Sequence, residues 1–271
     1  MSSALPANPK VSVIIPIYGK AGDLPRLVDA LQAQSIRPHE IILVDSSPKP
    51  IDNPPPGTRL VKNPVDVALS WDYNLGAKEA TGDYILNMQQ DCVPEDKGAL
   101  ERMLNQLHEV PGRVSVVALV TLPEENFLQY NFWGQVLMAR WVGRIRQGIS
   151  GKFDLHRADV YRRIGCYNTA QFHFAGEDMD LFMRLSQKGE VFVSDVEIIH
   201  YHFQSLKTGW QHLFRKHYQV AESFGALFRT YQTGVPHFEQ KARVLPVSLS
   251  RYSLTVRLPF RIRKRFRQVP T

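Results

Sequence analysis

Short apolar runs alternate with segments of helical spacing across the first 120 residues. The runs, rich in β-branched residues and typical of buried strands, cover Val11–Ile17, Glu40–Val44, Arg59–Val61, Tyr84–Met88 and Val114–Val120. Apolar residues recur every three or four positions over 24–34, 65–80 and 100–107, with Asp23 placed to cap the first of these helices. Strands that alternate with helices predict a mostly parallel sheet with helices on both faces.

Polar side chains are expected to gather where these strands end. In open α/β sheets, ligands bind beyond the carboxyl ends of the strands. The loops that follow the first, second and fourth predicted strands begin with Tyr18, Asp45 and the segment Gln89–Asp91. The sequence therefore predicts a binding site built from these three loops.

An acidic cluster is the strongest polar signal in the rest of the chain. Glu177, Asp178 and Asp180 fall within four positions and are bordered by apolar residues, among them Phe172 and Phe182. Carboxylates crowded against apolar neighbours and against each other are good candidates for a proton acceptor. The same residues also suit the first turn of a helix, where acids meet the positive end of the helix dipole. The segment by itself leaves both interpretations open.

Composition favours one domain with an extension and no membrane-spanning segment. The chain has 271 residues, 44% of them apolar, which is enough for a substantial core. No apolar run approaches the roughly 18 residues that cross a bilayer, and the polar first ten residues lack the apolar centre of a secretory signal. The two cysteines, Cys92 and Cys166, have no metal-type spacing and suit a reducing compartment. We therefore expect a cytoplasmic location.

The second half of the chain adds an insertion and a C-terminal helix. Residues 126–150 combine aromatic and basic side chains and predict a helical insertion whose aromatics mostly pack against the sheet, with acceptor or membrane contact as the alternative. Strand-like segments at 191–193 and 197–201 precede a capping-box pattern, Thr208 with Gln211, and a helix with a broad apolar face. The predicted boundaries are a domain over 1–205 and a helical extension over 206–271.

Positive charge is concentrated in the last fifteen residues. Six basic residues and no acid lie between Arg257 and Arg267, interleaved with apolar residues, in a chain of formal net charge +7. Such a segment suits an anionic membrane surface, where each Lys or Arg contributes about 1 kcal/mol. Nucleic-acid binding and a basic tail without a partner are the alternatives. We expect peripheral contact with the inner face of the plasma membrane and no nucleic-acid partner.

Several segments occur together in the order of one enzyme family. They are Val13–Tyr18, Glu40–Ser47, Asn74–Gly76, Ala80–Leu86, Gln89–Asp91, Arg163–Asn168, Gly176–Leu185 and Ile199–His202. From residue 10 to about residue 205, the chain resembles the inverting nucleotide-sugar transferases of glycosyltransferase family 2. Single Glu-Asp pairs and Asp-rich loops are common in proteins, so the resemblance rests on the ordered set.

The resemblance implies a fold and an activity. The fold is the A-type glycosyltransferase fold (GT-A), a Rossmann-like, mostly parallel mixed sheet flanked by helices, here with a C-terminal helical extension. The implied reaction moves a sugar from a nucleotide-diphosphate sugar to a hydroxyl of a glycan or lipid-linked acceptor. A divalent cation, Mg²⁺ or Mn²⁺, is implied at the departing diphosphate.

The resemblance also implies roles for particular residues. Asp178 is the implied base that takes the acceptor proton, and Glu177 shapes its surroundings or bonds the acceptor. Asp91 is an implied metal ligand, and His200 is either a second ligand or a hydrogen-bonding group across the site. The residues implied at the nucleotide and donor sugar are Pro16, Tyr18, Asp45, Asn74, Gln90, Asp91 and Arg157.

Two positions depart from the family pattern. Gln89 stands at the first acid of the Asp-x-Asp signature, where related branches such as the rhamnosyltransferase-like one have Asn. Ser46 stands at the second acid of the usual Asp-Asp-x-Ser after the second strand. The first change weakens metal binding, and the second leaves the nucleotide unidentified. Both motivate an alternative, a catalytically silent nucleotide- or glycan-binding protein of the same fold.

Overall fold

The chain divides into two compact units. The structure, a computed structural model, describes residues 5–19, 23–63, 68–139, 142–145, 148–172 and 176–201, and some helical positions between 209 and 231. The first unit, called the sheet unit below, comprises Met1–Thr121 and Ile145–Tyr201, and the second unit comprises Leu122–Arg144 and His202–Thr271. The basic tail lies outside the described residues, as does His202.

Strands and helices alternate along the described residues as the sequence predicts. The strands are β1 (Val11–Ile17), β2 (Glu40–Asp45), β3 (Arg59–Lys62), β4 (Tyr84–Asn87), β5 (Cys92–Val93), β6 (Arg113–Leu122), β7 (Gly143–Ile145), β8 (Asp154–Arg157) and β9 (Glu190–His200). The helices are α1 (Leu24–Gln32), α2 (Leu69–Glu79), α3 (Ala99–Glu109), α4 (Glu124–Leu128), α5 (Phe132–Met138), α6 (Ala158–Arg163) and α7 (Glu177–Ser186).

Four parallel strands form the first half of the sheet. β2 pairs with β3 on one side and with β1 on the other, and β1 pairs with β4, all in parallel. Ile17 lies opposite Asp45, so the carboxyl ends of β1 and β2 meet at one edge. All seven residues of β1 are buried, as expected for a strand covered on both faces. The predicted parallel sheet is confirmed.

Successive side chains of a strand point to opposite faces of the sheet, so the apolar strands present two apolar faces. Helices cover both of them. Val13, Ile15 and Ile17 of β1 pack in one cluster with α1 and α3, while Ile14 packs in the other with α2 and α7. The buried residues of α1 are Leu24, Leu27, Val28 and Leu31, the predicted stripe. Asp23, however, makes no side-chain capping bond, and α1 begins instead with Pro25 in its first turn.

The second half of the sheet is mixed. Strand order is β3-β2-β1-β4-β8-β6-β9-β5, in which β8 runs antiparallel to β4 and to β6. β9 is parallel to β6 and antiparallel to the short β5. The two predicted segments at 191–193 and 197–201 are one strand, because β9 stays paired with β6 across irregularities in register. β8 and β5 were not expected from the sequence pattern.

The second unit has its own small core. Leu122, Phe127, Tyr130, Met138 and Ala139 pack together, and α4 and α5 confirm helices in the predicted insertion. Asn131 caps α5 by accepting a hydrogen bond from the Gly134 N–H at 2.8 Å. Among the described residues, none of the helices has the length and apolar character that crossing a bilayer requires.

Candidate active site

The loops after β1 and β4 are tied together at the carboxyl edge of the sheet. The Tyr18 N–H donates to Gln90 Oε1 at 3.4 Å, and Gln90 Nε2 donates to the Tyr18 carbonyl at 3.2 Å. Pro16 is buried within β1 opposite Val44, one residue before the strand ends. The Tyr18 side chain is about half exposed, so its ring is accessible to a ligand. The structure thus brings Pro16, Tyr18 and Gln90 together.

Asp45 organises the neighbouring loop after β2. Its side chain is buried, and its two oxygens accept the N–H groups of Ser47 at 2.9 Å and of Ile51 at 2.7 Å. The Ser46 hydroxyl donates to Asp72 Oδ2 at 3.0 Å. Ser46, which stands where the family pattern has an acid, therefore holds the loop after β2 against α2 through its hydroxyl. Contact of Asp45 with a nucleobase stays a prediction.

A turn places Asp91 beside His200. The Cys92 N–H donates to the Gln89 carbonyl at 3.2 Å, which closes a turn over Gln89–Cys92. Cys92 then pairs with His200 across β5 and β9, and the Tyr201 N–H donates to the Asp91 carbonyl at 2.9 Å. Asp91 Oδ2 lies 3.1 Å from His200 Nε2. Strand pairing thus brings the two predicted metal ligands into direct contact.

The donor set around Asp91 suits a divalent cation. Ligand atoms of Asp91, Cys92 and His200, called the metal cluster below, all lie within 4.8 Å of one another. Burial lowers the pKa of His200, partly offset by the Asp91 carboxylate, and so favours the neutral imidazole that metals bind. Burial also raises the pKa of the Cys92 thiol well above its usual value, so the thiol is protonated. Asp91 and His200 would hold the ion, and phosphate and water would complete its coordination.

The acidic cluster opens α7, and its three acids differ in their contacts. Asp178 Oδ1 accepts the Met179 N–H at 2.7 Å. Asp180 is buried, and its Oδ2 accepts Nε and Nη2 of Arg184 at 2.8 and 2.6 Å. Arg184 also donates to the Ile164 carbonyl at 2.8 Å. Arg184 is thus the structural counter-charge of Asp180, which leaves Glu177 and Asp178 as the acids available for chemistry.

Asp154 is a buried carboxylate at the start of β8. This carboxylate is 1% exposed and accepts the N–H groups of Ser150 at 2.6 Å and of Gly151 at 2.5 Å. Burial raises the pKa of Asp154 to about 6; the nearby Asp178 also raises it, and the two N–H groups and Lys152 lower it.

Two buried tyrosines, Tyr73 and Tyr167, stack on each other. Burial raises the pKa of Tyr73 well above its usual value, and the charges of Asp154 and Asp91 raise it further. Tyr167, stacked on Tyr73 at 5.4 Å between ring centroids, has its pKa raised by burial and by Asp154 and Glu177 among others.

Asn74 and Arg157 have structural contacts instead of an open position at the site. Asn74 donates to the Tyr167 carbonyl at 2.8 Å and accepts the Tyr167 N–H at 2.9 Å, which positions the segment leading to α7. Arg157 pairs with Tyr84 at the first residue of β4, the sheet edge opposite to Asp91. Its guanidinium donates to the carbonyls of Arg113 and Leu107. The structure thus does not bring Arg157 to the donor site, contrary to expectation.

The sequence analysis assigned no role in the site to Cys92 or Lys152. Asp154 was noted only as part of the segment Asp154–Arg157, from which the resemblance implied Arg157 at the donor site. Their signal was weak because β8 has only four residues and no regular alternation. The one available hint was the charged Lys152-Phe153-Asp154 sequence close before the Arg163–Asn168 motif.

Comparison with known proteins decides the family. The family model for Glycosyl transferase family 2 matches residues 12–165, more than half of the chain. The chain belongs to glycosyl transferase family 2. The family resemblance seen in the sequence is confirmed. The matched stretch ends before α7 and β9, so Asp178 and His200 lie beyond it.

One curated relative is named for the biosynthesis of O-antigen. The O-antigen biosynthesis protein RfbC of Myxococcus xanthus is 26% identical over 228 residues, which cover 72% of this chain and 17% of the relative. The transferase thus spans about a sixth of the length of that relative.

Solved structures establish the fold of the transferase. The mannosyltransferase PcManGT from Pyrobaculum calidifontis, in complex with GDP-Man and Mn²⁺, has a TM-score of 0.54 at 12% identity, over 97% of this chain and 88% of the other. GalNAc-T7 with UDP, GalNAc and Mn²⁺ has a TM-score of 0.59 at 12% identity, over 94% of this chain and 56% of the other. The predicted GT-A fold is confirmed.

Proposed function

We propose that this transferase inverts the anomeric configuration as it moves a sugar from a nucleotide-diphosphate sugar to a hydroxyl of a glycan or lipid-linked acceptor. The observation that carries the proposal is the contact of Asp91 Oδ2 with His200 Nε2 at 3.1 Å, where a cation would meet the diphosphate. Glu177 and Asp178 open α7 and, unlike Asp180, are not paired with Arg184 in the contacts described above.

The reaction requires one contribution from the cation site at Asp91 and another from the acids that open α7. The bond between the anomeric carbon and the diphosphate oxygen breaks through an oxocarbenium-like transition state, and its electron pair leaves with the nucleoside diphosphate. The acceptor oxygen bonds the same carbon from the opposite face, which inverts its configuration. Asp178 takes the acceptor proton, and Glu177 bonds the acceptor or tunes the base.

The cation belongs at the Asp91–His200 pair. When bound, it supplies positive charge to the departing diphosphate. A carboxylate combined with an imidazole suits Mn²⁺ better than Mg²⁺, which prefers oxygen ligands. The two structural relatives described above were solved with Mn²⁺, which supports the same choice. We propose Mn²⁺ as the cation.

The nucleotide is proposed to bind across the ends of β1 and β2. Tyr18 supplies an accessible ring, and Gln90 fixes the loop that carries it. Asp45 holds the adjacent loop, whose backbone lines the same edge. With the nucleotide bound there, its diphosphate would extend toward Asp91.

A nucleotide-sugar panel tests the function. Mn²⁺ with the matching UDP-, GDP- or dTDP-sugar at about 100 times its Kd is expected to stabilise the folded state by about 2.7 kcal/mol. For a chain of this size that corresponds to a rise in melting temperature of roughly 5–10 °C. With an acceptor, free nucleoside diphosphate should appear together with a product of inverted anomeric configuration, read by NMR.

The panel also separates the alternative function. Stabilisation without release of nucleoside diphosphate, over a broad set of glycan and glycolipid acceptors, supports the catalytically silent binding protein that Gln89 and Ser46 suggested. A product with retained configuration contradicts the assignment of Asp178 as a base. Absence of stabilisation by every nucleotide sugar, with and without Mn²⁺, contradicts both functions.

The acceptor is proposed to lie at an anionic membrane surface. Trp210, Phe214 and Tyr218 are spaced four residues apart, at 53%, 67% and 73% exposure, and so share one helix face. Exposed aromatics beside basic residues are typical of helices that lie in the membrane interface. The six basic residues of the tail add charge of the required sign. The O-antigen relative supports a cell-envelope glycan as the acceptor.

Vesicle binding tests this surface. The protein is expected to co-sediment with vesicles that contain anionic phospholipid and much less with neutral ones, because each basic residue contributes about 1 kcal/mol. Replacing Trp210, Phe214 and Tyr218 together with Ser should reduce binding by at least roughly tenfold. Val110→Ser, which removes an exposed apolar residue of the sheet unit, is the control. Equal binding of the triple variant and the parent contradicts the proposal.

A further inference from the structure

Lys152 lies at the same edge of the sheet as the metal cluster. β8 runs antiparallel to β4, and Asp154 pairs with Asn87, the last residue of β4. The chain entering β8 therefore passes beyond the carboxyl end of β4, where the Gln89–Cys92 turn also lies. Lys152, two residues before Asp154, is placed at this edge by strand pairing.

The turn that carries Lys152 is held from both sides. The Asp154 carboxylate accepts the N–H groups of Ser150 and Gly151, and the Tyr73 hydroxyl donates to the Gly151 carbonyl at 2.5 Å. Gly151 has a φ of +67°, and a Cβ there would lie 2.8 Å from the Tyr73 hydroxyl oxygen. Phe153 is fully buried on the other side of Lys152. The backbone is thus fixed while the lysine side chain remains partly exposed.

Strand pairing places Lys152 at the edge of the sheet where Cys92 pairs with His200. Burial is the largest influence on the pKa values of Cys92, His200 and Asp154, and the positive charge of Lys152 lowers all three. Among the residues that the structure describes, no ion pair joins this ammonium to a carboxylate. Within the described part of the chain, the charge of Lys152 therefore lies at this edge without a carboxylate partner.

An ammonium beside a cation site opposes the cation and favours an anion that bridges both charges. Asp91 is the carboxylate of the metal cluster, and Gln89 brings no charge. The departing nucleoside diphosphate gains negative charge as the sugar leaves, so a second cation beside the metal is strongest in the transition state. We propose that Lys152 binds the donor diphosphate and stabilises its departure. This inference rests on the proposed function.

Binding of nucleoside diphosphate against monophosphate tests Lys152. In Lys152→Gln, the Kd of the preferred nucleoside diphosphate with Mn²⁺ is expected to rise by about 10–100-fold, the range of a lost charge-assisted contact. The Kd of the matching monophosphate should change by less than about threefold, because the contact is with the outer phosphate. Affinity for Mn²⁺ alone should stay the same or increase, since a repelling charge is removed. Titration calorimetry measures all three.

Two further variants make the result decisive. Lys152→Arg keeps the charge and should retain most of the diphosphate affinity. Lys188→Gln removes an exposed lysine just past the C-terminal end of α7, away from the acidic first turn, and should match the parent. Equal diphosphate affinity in Lys152→Gln and the parent overturns the inference. So does an equal loss of affinity for Mn²⁺, monophosphate and diphosphate, which indicates a structural role. If the parent protein binds no nucleoside diphosphate, the proposed function itself fails.

Discussion

Replacing Asp178 with Asn is expected to slow sugar transfer by about 10²–10⁴-fold, the contribution of a positioned general base. The amide has nearly the same shape but cannot take the acceptor proton. Its oxygen can still accept the Met179 N–H, which Asp178 accepts at 2.7 Å, so the first turn of α7 should be preserved. Nucleotide affinity should change by less than about threefold, since the acid acts on the acceptor side. Steady-state kinetics and titration calorimetry give the two quantities.

Two controls distinguish a lost base from a damaged fold. Asp159→Asn removes a surface carboxylate that pairs with Arg163 and should leave transfer unchanged. Glu177→Gln tests the neighbouring acid. If Asp178→Asn transfers at the parental rate while Glu177→Gln is strongly impaired, the base is Glu177. If both variants and the parent have equal rates, the acidic cluster is not catalytic.

Replacing Asp91 with Asn is expected to reduce Mn²⁺ affinity by at least about 100-fold, because a neutral amide oxygen replaces the carboxylate of the metal cluster. The stabilisation that the nucleoside diphosphate gives in the presence of Mn²⁺ should fall to its value in a chelator. The backbone contact between the Asp91 carbonyl and the Tyr201 N–H does not depend on the side chain. The fold should therefore survive the change.

Manganese titration followed by electron paramagnetic resonance measures the free ion directly. Asp29→Asn, a change of the same kind on the exposed side of α1, should bind Mn²⁺ like the parent. Retention of parental Mn²⁺ affinity by Asp91→Asn would place the cation elsewhere in the protein. A loss of diphosphate binding even in chelator would instead show that Asp91 supports the site through structure.

The parallel half of the sheet could be predicted from local pattern. β1 is a run of seven buried residues and α1 shows four apolar residues at helical spacing, so each element is specified by its own sequence. The rule that ligands meet carboxyl strand ends then placed Tyr18, Asp45 and Asp91 at one edge. The register of β1 with β2 and β4 confirms that placement.

The antiparallel insertion could not be predicted in the same way. β8 has the sequence Asp-Leu-His-Arg, in which the first three residues are buried although two of them are polar. Its existence depends on pairing with β4 and β6, which lie far away in the chain. The misplacement of Arg157 follows directly: antiparallel pairing sends the end of β8 to the amino edge, so only its beginning reaches the site.

The contact of His200 with Asp91 likewise depends on pairing between residues that are far apart in the chain. His200 ends β9 and Asp91 precedes β5, and only the pairing of Cys92 with His200 shows that the two are neighbours. Sequence alone gave an ordered family pattern at both positions. It did not show whether His200 faces the cation or merely packs nearby.

β5 is the outermost strand in the sheet order, joined through β9. An ion held by Asp91 and His200 would therefore link the chain entering β5 to the end of β9, two strands that pair over only two positions. Cation binding would then do more than prepare the diphosphate site. It would also stabilise the edge of the sheet next to the turn at Gln89–Cys92. Local opening at that edge would release the ion, so cation occupancy and order of the last strand rise and fall together.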